Sequence, residues 1–321
     1  MSAPAVSVIV PAYNSQDTID MTIRSILGQS MADLELIIVD DGSSDGTPDR
    51  IAEWEANDPR VRPVAQENGG TAAARNTGIA AAEAPLVSFL DDDDLWLPGY
   101  LANACEAMER FPDAGLAFTN AWLYDDDRGE IRRRTSFEHY PHIPDYLDPE
   151  ELLRRLIEVN FILSSTTCRA RVLAEMGGFA AEVSGTDDWD LWMRIAAGGH
   201  GAAGISAPGI VQRDRSGSQS KDLTMMFERS ADTLRRLLSV ASLSERNQTV
   251  ANGHIDELER KVADIRGNSM RQRARRVRRS AIAVRERVRP SGTWLEVPPA
   301  EVAASFPEIA ASYARAASRG S

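Results

Sequence analysis

Along its first ninety residues the chain alternates short β-branched apolar runs with stretches whose apolar residues recur at helical spacing. Val6-Ser-Val-Ile-Val10 predicts a strand stopped by Pro11 and Asn14. Ile19, Ile23, Ile26 and Leu27 predict a helix over Thr18 to Leu27, with Ser15 or Asp17 available as its cap. Leu34 to Val39 reads as a second strand, ended by the turn-rich Asp40-Asp-Gly-Ser-Ser-Asp-Gly-Thr-Pro48. Asp49 to Ala56 follows as a helix, Val61 to Ala65 as a third strand and Thr71 to Ala82 as an alanine-rich helix. Leu86 to Leu90 is a fourth strand that runs directly into Asp91-Asp-Asp-Asp94. Strand–helix alternation implies an α/β fold: a Rossmann-like, mostly parallel sheet flanked by helices, with ligands at the carboxyl ends of the strands. The acidic and glycine-rich loops fall at those ends.

The middle of the chain is less regular. Leu116 to Leu123 predicts a strand, Asp125 to Glu130 a turn, Pro149 to Val159 a helix and Ser164 to Cys168 a short strand. Ala170 to Met176 reads as a helix stopped by Gly177-Gly178, and Asp187 to Ala197 as a helix closed by Gly198-Gly199. Ile205 to Val211 is the last strand expected. After about Lys221 the β pattern disappears: Leu223 to Val240 is helical, and Ile255, Leu258, Val262 and Ile265 form a heptad seam too short for an independent coiled coil. That seam can pack on the preceding domain or pair two copies of the chain. The break at Pro290-Ser-Gly precedes an alanine-rich tail, helical or frayed from Pro298 onward.

Composition narrows the class. With 43% hydrophobic and 26% charged residues over 321 positions, wholesale disorder is excluded. Cys105 and Cys168 lie far apart and read as buried thiols of a reducing compartment, not as a disulfide framework or zinc site. No signal peptide is expected from Met1-Ser-Ala-Pro-Ala-Val-Ser-Val, and no window nears about 18 uninterrupted apolar residues, so the expectation is a cytoplasmic protein. The net charge of −12 hides an asymmetry, because Arg271 to Arg289 holds nine arginines against the single acid Glu286. Without interleaved aromatics this segment does not read as a nucleic-acid site. A basic amphipathic helix on an anionic membrane, at the inner face of the plasma membrane, is preferred; a solvated helical face is the alternative.

Four loops carry candidate chemistry. Adjacent carboxylates at Asp91 to Asp94 repel one another unless a cation compensates, and hard oxygen ligands suit Mn2+ or Mg2+. A solvated acidic turn is the competing reading, but Phe89-Leu90 and Leu95-Trp96-Leu97 flank the run with apolar residues and favour the metal. In Val39-Asp-Asp-Gly-Ser-Ser-Asp-Gly-Thr47 a strand-terminal carboxylate can accept from a base or a ribose, while Asp45 caps the next helix. Asn68-Gly-Gly-Thr-Ala-Ala-Ala-Arg-Asn76 offers a glycine-rich helix entry that can hold an anion, a weak signal by itself. In Gly185-Thr-Asp-Asp-Trp-Asp-Leu-Trp-Met193, a carboxylate desolvated beside Trp189 and Trp192 can serve as a general base; alternatively these acids only favour the helix dipole.

In this order, the four loops with Val6-Ser-Val-Ile-Val-Pro-Ala-Tyr-Asn14, Ala74-Arg-Asn-Thr-Gly78 and Gly177-Gly-Phe179 resemble inverting glycosyltransferase family 2, of GT-A fold, over roughly residues 5 to 220. The resemblance implies transfer of a sugar from a nucleotide diphosphate, UDP or dTDP, to an acceptor hydroxyl on a glycan, a lipid-linked sugar or a small molecule. It implies that Pro11, Tyr13 and Asp41 line the nucleoside pocket, Tyr13 by stacking and Asp41 by hydrogen bonding the base. Arg75 would lie near the phosphates or support that loop. Asp91 and Asp93 match the DxD pair, with Asp94 a further metal ligand and Asp92 beside the donor. Asp188 matches the catalytic base, with Asp187 and Trp189 on the acceptor side.

The chain departs from the family in two places. Asp187 stands where Glu is usual, and Arg215 stands near the position of a frequent His, where it can pair with the diphosphate but not ligate a metal. The polymerases' Gln-x-x-Arg-Trp motif is absent, so a single-transfer enzyme is expected. The implied layout is a GT-A domain over 1–221 (nucleotide half 1–98, acceptor half 99–221), a helical extension over 222–289 and a tail over 290–321. The rival reading is a binding or scaffold protein, a GT-A domain whose chemistry has lapsed and which acts through its C-terminal arm; intact Asp91, Asp93 and Asp188 speak against it.

Overall fold

In the computed structural model, residues 3–126, 129–132, 144–214, 222–267 and 298–311 are described. Four strands, β1 (Val6–Ala12), β2 (Leu34–Asp40), β3 (Val61–Ala65) and β4 (Leu86–Phe89), lie parallel in the order β3-β2-β1-β4. They are joined by α1 (Ile19–Leu27), α2 (Thr47–Asn57) and α3 (Thr71–Ala81). Alternation along β1 sorts the core: Val6, Val8 and Val10 pack with Ile19, Ile23 and Ile26 of α1, whereas Ile9 faces the opposite layer.

The sheet continues through β5 (Leu95–Trp96), β6 (Ala114–Asp125), β7 (Glu130–Arg132), β8 (Tyr146–Leu147), β9 (Thr166–Arg169) and β10 (Gly201–Asp214). Among the described residues it has ten strands, and β6 and β10 run parallel over their length; the antiparallel pairings are two or three residue pairs each. Helices α4 (Tyr100–Arg110), α5 (Pro149–Glu158), α6 (Ala170–Met176) and α7 (Asp187–Ala197) complete this half. The strand order reverses beside β1, where the ends of β1 and β4 open a crevice of the kind that binds ligands in α/β sheets.

Several expectations change. Pro11 does not stop β1 but pairs in register with Val39. Leu90 N–H donates to Ile9 O on the β4 side while Asp41 N–H donates to Ala12 O on the β2 side. By alternation, the donor that Pro11 lacks faces the side where β4 has already turned away. Neither Ser15 nor Asp17 caps α1 by its side chain; the Ser15 carbonyl accepts from the amides of Thr18 and Ile19, both at 2.9 Å. The last strand begins earlier and ends later than Ile205 to Val211, because bulges around Pro208 let it stay paired with β6.

Beyond the domain, α8 (Leu223–Val240) and α9 (Glu245–Gly267) are buried against it. Phe227, Leu234 and Leu237 join one core with Ile255, Leu258 and Val262, shared with Leu152 and Leu156 of α5 and Trp192 of α7. The heptad seam is therefore consumed within the chain, which corrects its use for pairing two copies. A short helix, α10 (Ala300–Ser305), buries Val302. Among the described residues no helix is long and apolar enough to cross a membrane. The Arg271 to Arg289 segment lies outside the described residues.

Candidate active site

The loop after β4 is not a solvated turn. Asp91, Asp92 and Asp93 are half-buried and Asp94 is 4% exposed, with apolar Phe89, Leu90, Leu95 and Trp96 buried on either side. Thr22 on α1 donates to the carbonyls of Asp92 and Asp94, at 3.1 and 3.0 Å. Asp92 accepts from the Tyr13 amide at 3.0 Å, and Asp94 from the Arg213 amide at 2.9 Å. Burial, with the charges of Asp93 and Asp91, pushes Asp92 up to about 7 against the pull of the Tyr13 N–H. Burial and the same two carboxylates hold Asp94 well above the ordinary carboxylate range.

One arginine anchors this loop. Arg75, on the second turn of α3, is 4% exposed. Its Nη2 donates to Asp91 Oδ1 at 2.6 Å and its Nη1 to Asp187 Oδ2 at 2.7 Å, with the guanidinium 5.1 Å above the Phe179 ring. Ser164 donates to the other Asp91 oxygen at 2.6 Å. Local sequence explains the placement. Gly78 lies against Ile9 with no room for a side chain, which seats α3 on β1. Asn76 exchanges two hydrogen bonds of 2.8 Å with the Phe179 backbone. Gly178, at φ +73°, leaves space for that amide where a Cβ would lie 2.5 Å from Asn76 Oδ1. Each terminal nitrogen of Arg75 thus bonds a carboxylate, one on the acidic loop and the other that of Asp187.

Asp187 and Asp188 open α7. Asp188 is partly exposed, and its Oδ1 accepts from the Trp189 amide at 2.6 Å. Burial and the adjacent Asp187 push its carboxyl up to about 7, against the pull of Arg75. Helix α8 braces this turn: Thr186 and Thr233 share a hydrogen bond of 2.7 Å, and Arg236 lies 3.6 Å from Asp190. Asp190 is buried and paired with Arg194 at 2.7 Å, so it is structural. The acceptor-side expectation for the Trp189 ring is corrected. Its indole is 3% exposed and donates to Leu156 O at 2.8 Å, so it anchors α7 to α5.

Of the residues expected to line the nucleoside pocket, Tyr13 is 51% exposed just past the end of β1 while Pro11 is buried within it. Asp41 Oδ1 accepts from Gln66 Nε2 and the Gly69 amide, at 2.7 and 2.8 Å, and Oδ2 accepts from the Gly70 amide at 2.8 Å. Asp41 thus folds the glycine loop back against β2, a task no motif reveals. Thr22 and Ser164 carried no signal in the sequence either. Arg215 lies outside the described residues; it is Arg213 that reaches the acidic loop, pairing also with Asp126 at 2.7 Å.

The donor set fits a divalent cation. Four carboxylates follow one another in this loop, and burial, with the charges of Asp91 and Asp93, pushes Asp92 and Asp94 toward the protonated form. Among the described residues no three such groups converge into a ready cage. Hard oxygen donors of this kind suit Mn2+ or Mg2+, with phosphate oxygens completing the shell.

A nucleotide-binding α/β sheet with an acidic loop facing a carboxylate at a helix start defines a GT-A fold. The family model for glycosyl transferase family 2 matches residues 7–173, and the chain belongs to that family. It is 38% identical over 156 residues to the putative teichuronic acid biosynthesis glycosyltransferase TuaG of Bacillus subtilis, covering 48% of this chain and 59% of that one. It is 32% identical over 193 residues to chondroitin synthase of Escherichia coli, covering 60% of this chain and 26% of that one. The match thus spans less than two thirds of either relative. In fold it resembles S. aureus TarS 1-349 in complex with UDP-GlcNAc, with TM-score 0.64 and 18% identity over 98% of this chain and 92% of that one. It also resembles the mannosyltransferase PcManGT from Pyrobaculum calidifontis in complex with GDP-Man and Mn2+, with TM-score 0.54 and 20% identity over 99% and 87%.

Proposed function

We propose that the chain transfers a sugar from a nucleotide diphosphate to an acceptor hydroxyl, with inversion and with a divalent metal. The observation that carries this reading is the Arg75 bridge, which fixes the acidic loop and the Asp187–Asp188 turn as two walls of one site. Tyr13, half-exposed where β1 ends, supplies a stacking face for the nucleoside base. Asp41 Oδ2, bonded once, keeps an accepting lone pair for a base N–H. Asp92 ties the Tyr13 backbone to the acidic loop, so base and diphosphate are positioned by one connected piece of chain.

Asp91, Asp93 and Asp94 would hold Mn2+ or Mg2+, with Arg215 available to the diphosphate from the segment after β10. The ion supplies charge neutralisation to the departing diphosphate. Asp188, its carboxyl raised to about 7, takes the acceptor hydroxyl proton as that oxygen forms its bond to C1 and the C1–phosphate oxygen bond breaks on the opposite face. A carboxyl of this kind is ionised enough near neutral pH to accept a proton and basic enough to hold it. Asp187, fixed by Arg75, keeps the turn in register.

TuaG is named for teichuronic acid biosynthesis, and TarS was solved with UDP-GlcNAc. The second favours a UDP-sugar donor and the first an envelope-glycan acceptor. A lipid-linked acceptor on the cytoplasmic face, with the Arg271 to Arg289 stretch against anionic lipid, extends this reading from the charge pattern of the sequence alone. The test is a panel of UDP-, dTDP- and GDP-sugars incubated with Mn2+ or Mg2+. One donor binding only with metal, and yielding product of inverted anomeric configuration by NMR, supports the reading. Binding of none of them sinks it.

A further inference from the structure

The back of the acidic loop is covered by the C-terminal segment. Val302, Phe306 and Ile309 are buried against Leu95 and Leu97, which follow Asp94, and against Val211 and Tyr124. Glu301 accepts from Trp122 Nε1 at 3.2 Å. Beneath these contacts Leu95 pairs with Val211 and Trp96 with Ile210, and two residues beyond Val211 the Arg213 amide holds the Asp94 carboxylate. The short antiparallel ladder that this segment covers therefore carries Asp94 and its partner Arg213 together at one end.

Nothing local dictates the contact, since residues 268–297 separate the end of α9 from the segment. Beside it lies a solvent-open cleft of about 280 Å³, lined by Met21, Ser25, Trp96, Pro98, Phe306 and Pro307. The nearby Arg24–Glu308 pair, 3.9 Å long and solvent-exposed, adds little. Three buried apolar side chains beside an open cleft and an exposed ion pair make a small contact, that of a segment that can dock and release.

We propose that residues 298–311 are a positioning element for the donor site. Docked, they hold Leu95 and Leu97, and through them Asp94 and the carboxylates before it, in the arrangement that accepts a metal diphosphate. Undocked, they leave the sheet folded but the acidic loop loose. The proposal rests on the donor-site reading above, and the segment touches no reacting atom.

The test compares the full chain with a Val302→Ser/Phe306→Ser double variant and with a chain ending at residue 297. Amide hydrogen exchange is followed over 91–97 and over β1 and β2, and UDP affinity is measured with Mn2+. Exchange over 91–97 is expected to quicken about tenfold or more while β1 and β2 keep their protection. UDP affinity with Mn2+ is expected to fall about fivefold or more, and a synthetic 298–311 peptide to restore it to the truncated chain. Should the truncated chain fail to fold, the double variant carries the comparison. Unchanged exchange over 91–97 overturns the proposal, as does a uniform loss of protection, which would make the segment ordinary core. A full chain that binds no nucleotide with Mn2+ counts against the donor-site reading instead, and the exchange pattern still judges the docking.

Discussion

The Arg75 guanidinium donates to Asp187 at 2.7 Å across 112 residues of sequence. With its other terminal nitrogen on Asp91, one buried cation joins the loop that would hold the donor to the turn that would hold the base. Lysine keeps the charge but lacks the planar fork, so Arg75→Lys cannot satisfy both carboxylates. Turnover should fall at least about tenfold in that variant. Arg75→Ala leaves two carboxylates without their buried partner and should cost about 3–5 kcal/mol of stability by urea unfolding. Wild-type stability and turnover in both variants would remove Arg75 from the site.

The Asp188 carboxyl, raised to about 7, sets a pH profile. As a base it works only when ionised, so kcat should climb about tenfold per pH unit below that value and level off above it. Stability runs the other way. A carboxyl raised from 3.8 to about 7 by folding binds its proton more tightly in the native chain. Its contribution is complete below the unfolded value and is lost as pH rises through about 7. Asp188→Asn should flatten that part of the stability curve, measured by thermal unfolding across pH 4 to 8. An unaltered curve would place the titration elsewhere.

Gly78 has no room for a side chain, because a Cβ there would overlap Ile9. Gly78→Ala should therefore push α3 off β1 and cost about 1–3 kcal/mol. Because Arg75 rides on the same helix, turnover should drop by more than the folded fraction does. Parallel losses would confine the effect to packing.

Asp41→Asn tests the nucleoside side. Three donors from Gln66, Gly69 and Gly70 converge on this carboxylate, and an amide presents one acceptor oxygen where two are needed. Loss of one charge-assisted bond should weaken donor binding about tenfold with kcat largely kept. A loss confined to kcat would tie Asp41 to the chemistry.

Much of this was legible from spacing. Ala170–Met176, Asp187–Ala197 and Leu223–Val240 run where their apolar periodicity and flanking glycines or caps place them. The acidic loop stood out because like charges cluster between buried flanks. Strands β5, β7 and β8 did not, since segments of two or three residues carry no period and depend on partners such as Ile210 and Val211. Helix α9 begins ten residues before Ile255, in a polar stretch whose burial is decided by α8 and α5. Within the site, residue types were legible but partners were not. Neither the direction of the Trp189 ring nor the hold of Ser164 on Asp91 has a local cause in the sequence.

The central claim is that donor binding and proton abstraction reside on two carboxylate groups of one site. It is tested most directly by measuring nucleotide-sugar affinity with Mn2+ and turnover in parallel, in wild type, Asp93→Ala and Asp188→Asn. The account predicts that Asp93→Ala loses metal-dependent binding, whereas Asp188→Asn binds as wild type and loses turnover about a thousandfold or more. If Asp188→Asn turns over normally, or if Asp93→Ala binds as tightly as wild type, the division of roles is contradicted.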